Sequence, residues 1–393
     1  MEVVASNVTL DADHPVLRLQ RNALIAGVVG LVLTAIGFFV SPDQFFRSYL
    51  LGFLYWFGIA LGSMVILMIH HIAGGAWGAV IRRLLESSIG TIPVLAVLFV
   101  PILLGVHHLY EWSHADVVAA DPILQSKVAY LNVPFFVVRS VIYFVIWFVV
   151  ASLLRRWSLE QDRSTDPKVV LRMELMSRGG LVIYGLTVTF AVVDWVMSLE
   201  PHWFSTIFGL LMMGGQGLAA FAFCVPLAVL LSRREAVGRY FGPSQFHDLG
   251  NLMLGFTMIW AYLSFSQLII IWSGNLPEET AWYFTRSQGG WKIVGYMLLF
   301  LHFAVPFVVL LQRSVKRTGS KLAIVALWLL VMRFVDLYWL VAPSLHPMNA
   351  LPSWLDFTAV IGIGGVWLWY FVGRLAQNPV LALNDPSLPE VKA

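Results

Sequence analysis

Ten stretches of this chain are apolar and long enough to cross a bilayer, and that limits the fold more than any motif does. A spanning helix needs about 20 apolar residues. The runs at 23–40, 49–72, 88–108, 131–154, 179–199, 205–232, 249–273, 290–312, 321–342 and 356–376 fit that length. With no water in the hydrocarbon to satisfy free backbone groups, each run is expected to be helical. The expectation is an all-α polytopic membrane protein of ten transmembrane helices. It has an N-terminal tail at 1–22, a membrane domain at 23–376 and an extended tail at 377–393. Charged residues make up only 12% of the chain, against about 25% in soluble domains. The connections are short, the longest at about 109–130 and 155–178, so no soluble domain is expected.

An even number of spans puts both termini on one side, and basic residues choose the side. Nineteen of the 25 Lys and Arg, including Arg82, Arg83, Arg155, Arg156 and Lys392, fall on the side of the termini, against four opposite. Cytoplasmic loops carry the excess of positive charge, so both termini are expected in the cytoplasm. The net charge of +3 is small and has no dense basic run, which argues against a nucleic-acid partner. The N-terminal MEVVASNVTLDADHP is too polar and acidic for a cleavable signal peptide.

Charges inside the apolar runs carry the chemistry. KLAIVALWLLVMRFVDLYWLVAP holds Arg333 and Asp336, three apart and so on one helix face. GGLVIYGLTVTFAVVDWVMSLEP holds Asp194, fifteen residues past Gly179, as Asp336 is fifteen past Lys321. The echo suggests an internal duplication, with helices two to five and six to nine forming two four-helix bundles and helices one and ten flanking them. Asp194 and Asp336 lie roughly 22 Å from the cytoplasmic end, and Arg139 about 12 Å in from the outside, so Arg139 and Asp194 are within pairing depth. His302 sits deeper. His70 and His71 close the cytoplasmic end of helix two, and His107 and His108 the outer end of helix three.

Buried ions in lipid are rare without a partner or a wet cavity. One reading of Asp194, Asp336, Arg333, Arg139, His302, His70 and His71 is a single polar file for protons, since carboxylates and imidazoles can relay them once burial tunes their affinity. The other is ion pairing that locks helices together. The single Cys224 excludes an internal disulfide, an iron–sulfur cluster and a structural zinc site. The histidine depths do not match for haem ligation, and Glu111, His114, Asp116 and Asp121 read as a solvated acidic loop rather than a metal site. No catalytic residue is assigned. Pro93, Pro101, Pro134, Pro226 and Pro306 are expected to kink their helices. The glycine pairs at 74–75, 179–180, 214–215 and 289–290 are expected at close helix contacts.

Three stretches carry a family resemblance: HHIAGGAWG from His70 with Arg82-Arg83, YLNVPFF from Tyr130 with Arg139, and WSGNLPEE from Trp272. With ten spans and two bundles, they resemble the NrfD/PsrC-like quinol-interacting membrane subunits. They are most similar to the second, smaller NrfD-like subunit, the ActF type, of bacterial alternative complex III. That resemblance implies a subunit, in a bacterial inner membrane, of a quinol:electron-acceptor oxidoreductase with no redox centre of its own, and makes His107, His108 and Glu200 at the outer face a weaker candidate quinone contact. Its implied partners are a multi-haem cytochrome c, an iron–sulfur subunit and a larger NrfD-like paralogue, the better candidate for the quinol site. A stand-alone proton- or ion-coupled transporter and a quinone-binding anchor of a molybdenum-type reductase remain open.

Overall fold

Proline and a polar cap mark where most of these helices begin. Pro15, Pro42, Pro167 and Pro243 each occupy the first helical turn, where a missing N–H costs nothing. Before them His14 and Asp166 accept hydrogen bonds from the first free backbone N–H groups. The computed structural model describes residues 9–10 and 14–388, all in helices and short connections. Ten helices have the length and hydropathy to span a membrane. They are α1 (Pro15–Val40), α2 (Pro42–Ala73), α3 (Arg82–Leu104), α4 (Val133–Gln161), α5 (Pro167–Leu199), α6 (Phe208–Ser232), α7 (Pro243–Gly274), α8 (Gly289–Leu311), α9 (Gly319–Leu345) and α10 (Trp354–Ala376).

Several helices outrun their apolar cores. Hydropathy marks only the part that needs lipid, whereas caps and prolines set where the helix stops. The N-terminal tail therefore ends at Pro15 rather than at residue 22, and residues 1–8 and 11–13 of it lie outside the described part. The expected loop at 155–178 shrinks to a short turn between Gln161 and Pro167. Arg82 and Arg83 belong to the first turn of α3 rather than to a loop, and both are buried. The stretch at 109–130 is not a plain loop: it holds a 3-10 turn and two short helices.

The prolines act locally. Pro134 sits in the first turn of α4 and kinks nothing. Pro93 and Pro101 open short helical pieces, so α3 is broken near Gly90 and Phe99. Pro306 has no N–H for the carbonyl of His302, and the ladder widens to a π-helix over Leu298–Ala304.

Two helices form the hub. α2 packs against α3, α5, α6, α9 and α10, and α6 against α2, α5, α7 and α9. Their central windows are both 83% buried. Helices α2–α5 form one four-helix group, α6–α9 the other, and α2 meets α6 between them. α1 and α10 pair with each other and lean on α2. Their crossing is closer than side chains would allow: a Cβ on Gly30 would stand 2.5 Å from Gly362 N, and one on Gly27 2.7 Å from Val366 N. Small residues permit such approach, yet none of the four glycine pairs singled out above lies there. Gly74 and Gly75 instead turn the chain with φ of 65° and 95°, which only glycine adopts easily. Gly179 faces open space, and Gly215 makes room for Arg333.

The tail past α10 folds back onto its own chain. Val380 to Leu383 are buried, and Leu383 N donates to Asp162 Oδ1 at 2.8 Å. Gln161 and Asn384 exchange amide hydrogen bonds at 3.1 Å. Residues 389–393, Lys392 among them, lie outside the described part. Thr9 also meets Arg234, so both ends of the described chain sit at the same end of the bundle. That end is called the tail end below, and the opposite one the far end.

Candidate functional site

The two intramembrane pairs form, but in separate bundles. In the first bundle Arg139 of α4 grips Asp194 of α5 with two parallel hydrogen bonds of 2.9 Å. Tyr143 O–H donates to the same carboxylate at 2.8 Å. Arg139 also donates to the Tyr130 carbonyl at 2.9 Å and lies over the Tyr130 and Phe135 rings at 3.9 and 4.3 Å. The YLNVPFF stretch is therefore the seat of the guanidinium. Asp194 is wholly buried, and a forked charge-assisted contact is the geometry that offsets the cost of burying both ions.

From Asp194 a polar stripe runs down α5 that the sequence reading did not pick out. Thr187, Tyr184 and Ser177 follow at seven-, three- and seven-residue steps, one helix face, over about 25 Å. Trp147 Nε1 donates to Thr187 at 2.9 Å, Tyr184 O–H donates to Gln216 at 2.8 Å, and Ser177 meets His71 Nδ1 at 3.0 Å. The heptad spacing back from Asp194 was the available signal. A wall of Phe57, Trp147 and Trp195, with ring centroids 5.2 to 5.9 Å apart, packs beside the upper part of the stripe.

At the tail end the stripe meets an ion cluster. Arg82 reaches Glu86 at 2.8 Å and Asp385 at 2.7 Å. Arg83 reaches Glu86 at 2.6 Å and also pairs with Asp162. Ser158 accepts from both arginines and donates to Glu86. His70 stands 3.8 Å from Asp385. Its ring fits because Gly78 has no side chain to strike it, which explains the last glycine of HHIAGGAWG. Burial opposes ionisation of Asp385, but His70 and the Arg82 guanidinium outweigh it and hold the carboxyl well below the usual carboxylate range.

A carboxyl lowered by folding stabilises the docked tail above its ordinary value of about 4 and loses that contribution as acid titrates the folded form. Tail docking is thus expected to be insensitive to pH near neutrality and to loosen in acid. Asp385→Asn should loosen it near neutrality, where the wild-type carboxylate is charged, and remove the acid dependence. Hydrogen exchange of residues 380–388 reads both. Equal protection in Asp385→Asn and wild type at neutral pH would remove Asp385 as the latch.

In the second bundle Arg333 and Asp336 pair along α9. Trp260 Nε1 of α7 donates to Asp336 at 3.1 Å. His302, on the π-helix, meets the Trp260 ring edge-on at 4.3 Å; it is wholly buried, and neither ring nitrogen has a partner among the described residues. The expected single file through all these groups is therefore corrected: Arg139 and Asp194 align with His71 and His70, whereas Asp336, Arg333 and His302 form their own group. Here the arginine comes from the same helix as its acid, so the two bundles are not copies in detail.

α7 and α8 touch through their tail-end halves. Towards the far end a cavity of about 850 Å³ lies among α7, α8, α9 and the short helix Pro277–Arg286, with Asp336, Trp260, Tyr283 and Trp339 in its wall. Arg286, also in the wall, is bound to Glu200 at 3.0 Å, and Ser344 also donates to that acid. Burial pulls the Arg286 guanidinium down to about 10 despite Glu200. Glu200 shares no contact with His107 or His108. His107 meets Ser113 and His114, and His108 pairs with the exposed Asp43. The three do not form one quinone contact.

Fold and site together define an all-helical, ten-span membrane protein with a buried Arg–Asp pair in each bundle. No family model matches the sequence, and no curated protein matches it.

Proposed function

We propose that this chain is an integral membrane subunit of a quinol-oxidising electron-transfer complex, one that carries no redox centre and moves protons through its first bundle. The observation that supports this most is the α5 stripe, polar residues on one helix face from the buried Asp194 carboxylate to Ser177, which meets His71. The family resemblance lies on the same parts, since HHIAGGAWG builds the His70 end and YLNVPFF the Arg139 end. With basic residues on the side of the termini, the tail end faces the cytoplasm. A proton entering from the far end meets Asp194 and Tyr143 first, then Thr187, Tyr184 and Gln216, then His71. The Phe57, Trp147 and Trp195 wall closes the upper part, so transfer needs the Trp147–Thr187 contact to open and admit water.

Two measurements test the proposal. Purification in mild detergent is expected to bring down a multi-haem cytochrome c, an iron–sulfur subunit and a larger paralogue; a lone protein would instead favour a transporter. In the assembled complex, Tyr184→Phe is expected to lower the proton-to-electron ratio while quinol oxidation continues. An unchanged ratio in both Tyr184→Phe and Asp194→Asn would remove the proton role and leave a structural subunit.

The cavity favours a second reading, in which this chain itself seats a quinone head beside Tyr283 and Trp339. Burial raises the Tyr283 hydroxyl to about 12, so it stays a donor suited to a quinone carbonyl. Quinone retained by the isolated subunit and lost in Tyr283→Phe would support that reading.

A further inference from the structure

At the tail end two arginines converge without an acid between them. Arg155 of α4 and Arg374 of α10 flank α3 where it breaks at Gly90. Arg155 Nη1 stands 3.3 Å from the place a Cβ on Gly90 would take. Neither guanidinium makes a hydrogen bond or ion pair with a described residue. Arg374 Nε is buried without an acceptor, and its guanidinium rests 5.3 Å from the Tyr370 ring centre. The like charges of Arg374 and Arg83 both act on Arg155. The neighbouring acid, Glu86, already accepts from Arg82, Arg83 and Ser158. Two half-buried cations that repel each other are unfavourable unless an anion joins them.

Below the pair, the exposed side chains of α3 are apolar. α3 packs on α2 with α4 and α10 to either side. On the stripe that runs from Gly90, Val97, Val100 and Leu104 are 69%, 47% and 75% exposed. Gly90 to Leu104 spans about 21 Å of helix, an exposed apolar strip headed by the two guanidiniums. We propose that Arg155 and Arg374 bind the phosphate of an anionic phospholipid from the tail-end leaflet, with an acyl chain along Val97, Val100 and Leu104. Arginine pairs suit phosphate because their planar forks match its oxygens, and basic pockets between spanning helices are a known form of lipid headgroup site. The proposal does not depend on the chain's role in electron transfer.

The full chain, with whatever subunits come with it, is purified from membranes and placed in nanodiscs of phosphatidylcholine with or without phosphatidylglycerol. Wild type is expected to retain anionic lipid in native mass spectrometry and to unfold at higher temperature when phosphatidylglycerol is present. Arg155→Gln/Arg374→Gln is expected to hold that lipid roughly thirty-fold more weakly and to lose the thermal shift. Arg155→Lys/Arg374→Lys keeps the charge and should keep most of both, which separates lost binding from lost folding. Equal lipid retention by wild type and the glutamine variant would overturn the proposal. So would equal thermal protection by inorganic phosphate in phosphatidylcholine alone, which would make the site one for a soluble anion.

Discussion

Asp194→Ala is expected to cost about 3–5 kcal/mol of stability, since removing one partner of a buried ion pair strands the other. Arg139 would keep only the Tyr130 carbonyl and two aromatic faces, and Tyr143 would lose its acceptor. Asp194→Asn should cost less, because the amide oxygen still accepts one bond. A double change of Arg139 and Asp194 to leucine and methionine should recover much of the loss, as apolar replacement of a whole buried pair is often near neutral. Thermal unfolding of the purified protein in detergent checks the series. If Asp194→Ala unfolds at the wild-type temperature, the pair does not hold α4 to α5. The same series separates stability from transport, since the double variant would be folded yet unable to pass protons.

Gly62→Ala is the second large effect. A methyl there would collide with the Gln216 carbonyl of α6, and backbone has no rotamer into which to retreat. Overpacking usually costs about 1–3 kcal/mol, and this one lies where α2 meets α6 between the bundles, so the upper end of that range is expected. The displacement also falls on Gln216, the acceptor for Tyr184. Lower yield of monodisperse protein in size-exclusion chromatography, together with a lower unfolding temperature, is the outcome to look for. Gly179→Ala, which faces open space, serves as the control and should change neither.

The number of spanning helices was legible because lipid leaves the backbone no other choice, and hydropathy reads that demand directly. Helix ends were less legible: α5 runs twelve residues before its apolar core, and only Asp166 and Pro167 mark its start. The Arg333–Asp336 pairing followed from three-residue spacing, and Arg139–Asp194 from matching depth. Depth alone did not say which bundle a side chain belongs to, so His302 was wrongly joined to His71. The Arg82 cluster was only partly legible: Glu86 lies at helical spacing from both arginines, but Asp162 and Asp385 come from distant parts of the chain, and Asp385 arrives only when the tail folds back. The α1–α10 crossing was less legible because Gly27, Gly30 and Gly362 stand apart along their helices and only Gly364-Gly365 forms a pair, and nothing in either sequence says which helix faces which.

The link between Arg82 and Asp385 has a consequence for how the protein is made. The two residues are 303 positions apart, so the arginine reaches the membrane boundary long before its carboxylate has been translated. Until then Glu86 and Ser158 must balance it alone, and the first bundle matures only after synthesis has passed the last helix.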